Sequence, residues 1–101
     1  MNQKIKDKIG TMFWDLPFSA RKKAVENVIN DPLRAFNDDS ILLKALNTLS
    51  WYELMQLAGG PENLTRLLDD RIIKKLYPES RRKYYRDGKR LLSKYIISTA
   101  G

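Results

Sequence analysis

Six cations recur along the last third of the chain: Arg82, Lys83, Arg86, Lys89, Arg90 and Lys94. At about 100° per residue, their spacing places all six on one side of a helix. Arginine presents a planar fork of donors that can grip two phosphate oxygens at once, and lysine presents a mobile point charge. Cations in such a row can neutralise successive phosphates of a nucleic acid. Binding of that kind follows the backbone, so it is largely insensitive to base sequence and strongly dependent on salt. Lys22 and Lys23 would extend the surface if the fold brings them to the same side. Arg81, Arg82 and Lys83 crowd a helix start, as do Arg21, Lys22 and Lys23, and the helix dipole disfavours positive charge there. A sequence that breaks a local rule in this way often does so for function. The plainer alternative is a solvated amphipathic helix whose polar side is basic.

Other chemistries lack their residues. The chain has no Cys and no His, which removes disulfides, the usual tetrahedral zinc sites, thiol nucleophiles and every Ser-His or Cys-His arrangement. The paired carboxylates Asp38-Asp39 and Asp69-Asp70 lack the glycine-punctuated spacing of a calcium loop. Neighbours on a helix also point about 100° apart, which does not suit a catalytic dyad. Gly59-Gly60 lacks the spacing and the following Lys of a phosphate-cradling loop. No metal or cofactor is expected, and the chain reads as non-enzymatic.

Aromatic residues supply the second candidate. Trp14 projects opposite the apolar stripe of the first helix, and Trp51 stands in the first turn after a Ser50 cap. Exposed tryptophans would mark a protein-partner site; folded under neighbouring segments, they would be ordinary core. Tyr84, Tyr85 and Tyr95 fall on the apolar side of the last helix. They are expected to be core residues with hydroxyls at the rim rather than platforms for unpaired bases.

Helices must position all of these groups. The chain of 101 residues, 43% apolar and 31% charged, is long enough for one modest core and too apolar to be disordered. Ile5, Ile9, Met12 and Leu16 predict a first helix over residues 3–14, stopped by Pro17. A second starts at Ser19, with Ala20, Ala24, Val25, Val28 and Ile29 as its apolar set. Asp31-Pro32 opens a short third, with Leu33 and Phe36 inward. Ser40 or Asp39 is expected to cap a fourth over residues 41–49. Ser50 and Glu53 have capping-box spacing and open the next helix. Gly59 suits its left-handed end and Pro61 the first turn of its successor. That successor carries Leu64, Leu67, Leu68, Ile72 and Leu76 as one buried face. A last, continuous helix is expected from Glu79 to Ile97, with a loose tail over 98–101. No stretch alternates like a strand.

The expected fold is therefore an all-α, compact single-domain bundle of five to seven helices. It has a central helical hairpin and a basic amphipathic C-terminal helix. The hairpin resembles a helix-turn-helix in outline: ELMQLAG looks like the first helix of such motifs and NLTRLL like part of a recognition helix. Met55 replaces the small residue preferred four before the turn glycine. The recognition segment offers Glu62, Asp69 and Asp70, with only Arg66 and Asn63 as plausible readers.

Charge follows the chain unevenly. Residues 71–101 hold ten basic and two acidic side chains, a balance of +8 against +7 for the whole. Such asymmetry suggests a polyanionic partner for the basic part. The segment MNQKIKDKIG has no continuous apolar run like that of a signal peptide, so a cytoplasmic location is expected. Together these features point to a small, largely non-sequence-specific nucleic-acid-binding protein. The alternative is a protein–protein adaptor or self-associating assembly subunit. A peripheral membrane contact through the last helix is not expected, because it needs the apolar side that a core of this size requires.

Overall fold

Prolines and side-chain caps cut the chain into helices. The computed structural model describes the backbone of residues 3–100 and side chains through Ile96. Among the described residues the protein is all-helical, with eight helices and no strand. Contacts cluster into two compact units, Met1–Leu57 and Ala58–Gly101.

The first unit holds α1 (Gln3–Met12), α2 (Phe18–Asn30), α3 (Pro32–Ala35) and α4 (Asp39–Thr48), together with nearly all of α5 (Trp51–Ala58). Here α1 packs on α2 and α4, and α2 packs on α3. Ile5, Ile9 and Met12 are buried as their spacing demands, with Phe13, Val25, Val28, Leu42, Ala45 and Leu46, whereas Leu16 of the expected stripe lies past the helix end and is only half-buried. Helix α1 ends at Met12 rather than residue 14. The amides of Phe13 and Leu16 turn back onto the carbonyls of Gly10 and Phe13 at 3.2 and 3.0 Å. Asp38, not Asp39 or Ser40, caps α4, accepting from the Ser40 and Ile41 amides at 2.9 and 3.4 Å. A cap must precede the first helical residue, and here the helix already includes Asp39. Leu33 stands 40% exposed instead of inward, because α3 is a single turn and Phe36 alone reaches the core. The capping box forms as spaced. The Glu53 amide donates to Ser50 Oγ at 3.3 Å, and the Ser50 amide to Glu53 Oε1 at 2.8 Å.

The second unit holds α6 (Pro61–Leu67), α7 (Asp70–Ile73) and α8 (Glu79–Ala100). Gly59 and Gly60 take φ of +83° and +127°, angles that an L side chain resists. The single helix expected over residues 61–76 is broken after Leu67. Asp69 carboxylate oxygen Oδ1 accepts from the Arg71 amide at 2.6 Å, an Asx cap that restarts the chain as α7. This break makes eight helices rather than seven. Leu64, Leu68, Ile72 and Leu76 are nonetheless buried, joined by Ile73, while Leu67 at the break is only half-buried, so most of the apolar pattern outlives the helix that was inferred from it. Helix α8 runs unbroken through Asp87-Gly88 and packs against α6 and α7. It continues to Ala100. The side chains of the expected tail over 98–101, and Gly101 altogether, lie outside the described residues.

Candidate nucleic-acid interface

The start of α8 is fixed from both sides of its sequence. Glu79 in the first turn suits the positive end of the dipole. Arg82 reaches back, its Nε donating to the Leu76 carbonyl at 2.7 Å. This arginine is half-buried and serves first to tie the helix to the turn before it. Arg21 does the same at the start of α2. Its Nε donates to the Phe13 carbonyl at 3.2 Å, and its Nη2 to those of Trp14 and Leu16 at 3.0 and 3.1 Å. Positive charge at these two helix starts thus has a structural use, satisfying carbonyls that a turn leaves open.

The remaining cations of α8 divide by surroundings. Lys89 turns toward α7, its Nζ 3.8 Å from Asp70 Oδ1. Lys83 Nζ lies 3.0 Å from Asp87 Oδ2, one turn along, and that hydrogen bond is the main cause holding the Asp87 carboxyl below its usual range. Arg86, Arg90 and Lys94 are exposed. With Lys83 they make one solvent-facing stripe of four cations, about 16 Å long at 1.5 Å per residue. Arg82 and Lys89 lie at its edge, turned into the protein.

The apolar side of α8 is narrower than its sequence implies. Tyr85 and Leu92 are buried, but Tyr84, Leu91 and Tyr95 are 54%, 66% and 58% exposed. Two short helices cover only a strip of a long one, and the strip follows Tyr85 and Leu92, seven residues apart. Tyr84 and Tyr95 are therefore not the core residues expected. The Tyr84 ring stands at 85° to that of Tyr85 with centroids 5.1 Å apart, an edge contact that helps to orient it. Burial pushes the Tyr85 phenol up to about 12, opposed by the Arg81 charge beside it.

In the first unit, Lys22 and Lys23 are exposed on α2. Trp14 is 76% exposed, and so is a residue that periodicity did not single out, Phe18 at 79%. Phe18 opens α2 directly after Pro17, where a helix start needs no apolar partner; only the packing reveals that it has none inward. Both rings flank a groove of about 520 Å³ between α1 and α2, with Gly10 and Val25 among its lining and Lys6, Asp7, Lys22 and Glu26 at its sides. Trp51 is half-buried.

The segment that resembles a recognition helix has other employment. Asn63 Nδ2 donates to the Ala58 carbonyl at 2.9 Å, capping α5, and α6 ends after seven residues. Of its two candidate readers only Arg66 stands exposed. Among the described residues no three acidic side chains gather as metal ligands, and no helix is long and apolar enough to cross a membrane. No protein-family model, curated protein or solved structure matches the chain.

Proposed function

We propose that this is a non-enzymatic, cytoplasmic protein that binds nucleic acid through its phosphates, with the exposed stripe Lys83, Arg86, Arg90 and Lys94 as the contacting surface. Arg82 and Lys89 add charge from its edge, and Lys22 and Lys23 add a separate basic pair on α2. The observation that supports this reading is the stripe itself. It presents four cations along one side of a single helix, and Asp87, already paired with Lys83, is the one acid of that helix beyond its first turn.

Four phosphate contacts imply that log K falls with log salt at a slope of about −3.6 on a duplex or −2.8 on a single strand. Between 50 and 200 mM salt, affinity should then drop on the order of 50- to 150-fold. Fluorescence anisotropy with labelled strands and duplexes measures this. Charge reversal at Arg86 and Arg90 should abolish binding while leaving helicity intact. Affinity that survives R86E/R90E would show that α8 is not the surface.

A second reading is a protein–protein adaptor. The exposure of Trp14 and Phe18 beside the α1–α2 groove favours it, since exposed aromatics anchor protein interfaces. Trp51 contributes less, being half-buried. The groove carries both signs of charge, which suits a second copy as well as a foreign chain. Sedimentation at two concentrations tests the self-associating form, and a strict monomer at the higher one would remove it.

A further inference from the structure

The two exposed flanks of α8 differ, and the difference bears on which form of nucleic acid the helix fits. The cations Arg86, Lys83, Arg90 and Lys94 occupy one flank. Tyr84, Leu91 and Tyr95, at steps of seven and four, occupy the next, roughly 60–100° further around the helix. The apolar flank is thus a narrow ridge parallel to the basic stripe and of nearly the same length.

We propose that α8 binds unpaired strand in preference to duplex, with phosphates along the lysine–arginine flank and bases stacked on Tyr84 and Tyr95. This inference rests on the nucleic-acid reading above and goes beyond it. A helix lying in the major groove of a duplex runs between two phosphate chains, so it gains from cations on both flanks. Here one flank is basic and the other carries two tyrosines and a leucine, which would meet the second phosphate chain with two neutral hydroxyls and no charge to neutralise it. Stacked bases in a duplex also cover one another's faces, so an aromatic side chain must unstack a duplex to reach them, whereas an unpaired strand offers them freely. A single strand has one row of phosphates and one row of free base faces, and the two flanks match that asymmetry. The Tyr84 ring is already oriented by its edge contact with Tyr85, so little freedom is lost on stacking.

A bilayer surface also pairs basic with apolar chemistry, but it takes a broad apolar face. The exposed ridge on α8 spans only about 40° of the helix, against at least about 100° for an ordinary amphipathic face, and two of its three side chains carry hydroxyls.

The test uses the full chain and four probes. These are a labelled oligothymidine of about 20 nucleotides, an abasic strand of the same length, a duplex of the same length, and vesicles of phosphatidylserine and phosphatidylcholine. The abasic strand keeps every phosphate and removes every base. Two stacked rings should favour oligothymidine over the abasic strand by at least about 30-fold. Y84L/Y95L should bring the two affinities together while leaving the salt slope unchanged. Y95L alone, a change at an exposed ring, should close about half of the gap on a logarithmic scale.

Equal affinity for oligothymidine and the abasic strand would overturn the stacking proposal and leave phosphate binding standing. Duplex binding as tight as single-strand binding would do the same. No binding to any of the three nucleic acids would refute both readings. Vesicle binding that Y84L/Y95L abolishes, without strand binding, would assign α8 to a membrane surface instead.

Discussion

Replacing Glu53 by Ala should destabilise the first unit by about 2–3 kcal/mol, and the contacts of one carboxylate oxygen account for that figure. Glu53 is the one buried charged side chain among the described residues, 8% exposed. Its Oε1 accepts from the Ser50 amide at 2.8 Å and from Lys8 Nζ at 2.9 Å. A hydrogen bond from a backbone amide to a charged acceptor contributes about 1.5 kcal/mol or somewhat more. The ion pair adds less, about 0.5–1 kcal/mol, because the Lys8 side chain is 36% exposed and solvent screens it. The Glu53 amide keeps its bond to Ser50 Oγ, so the helix start is weakened but not lost.

Both tryptophans, Trp14 and Trp51, lie in the first unit, so urea unfolding followed by tryptophan fluorescence reports on this unit directly. For an m-value of about 1.5 kcal/mol/M the midpoint should fall by about 1.3–2 M. The pH dependence separates charge from packing. Burial alone would raise the Glu53 pKa, but the Ser50 amide and Lys8 outweigh it and the carboxyl sits below its ordinary 4.5. The stability it confers is therefore fully present above the unfolded value. It is lost as pH falls through the lower, folded one. Glu53→Gln keeps the shape and removes the charge, so its gap to the wild type should be clear at pH 7 and shrink under acid. A gap that is absent at pH 7, or unchanged at about pH 3, would refute the assignment.

Gly10→Ala should stabilise the protein by about 0.5–1 kcal/mol, since Gly10 is inside α1 and an added Cβ meets no atom within 4 Å. A lower thermal midpoint for G10A would mean that this side of the groove is not open. Alkali should weaken the fold through Tyr85: its phenol titrates near 12 when folded and near 10 when unfolded, so stability is intact below about pH 10 and declines above it. The loss should reach about 2 kcal/mol by pH 12, and Y85F should remove that component. Parallel urea melts at pH 8 and 11 check this, and identical pH slopes for Y85F and wild type would contradict it.

Helix content, most helix starts and the core of each unit were legible in the sequence because they depend on local rules. Capping residues act within three positions, proline acts on its neighbour, and apolar spacing marks the side that must be covered. The box at Ser50 and Glu53 and the turn at Gly59-Gly60 formed where their spacing put them. The break after Leu67 was not legible, since the same leucines serve a continuous helix or two short ones, and the Asp69 cap decides between them. The candidate site divides in the same way. Its composition and its place on α8 come from sequence, because the +8 balance of the last third is simply a count. Which cations face solvent does not. Arg82 satisfies a carbonyl six residues back and Lys89 leans to an acid on α7, contacts that exist only once the chain has folded. The width of the covered strip on α8 was likewise decided by tertiary structure. The helical period gives the direction of a buried face, whereas the size of the packed neighbours sets how much of it is covered. With α6 and α7 only two turns and one turn long, Tyr84, Leu91 and Tyr95 remain in solvent beside the cations.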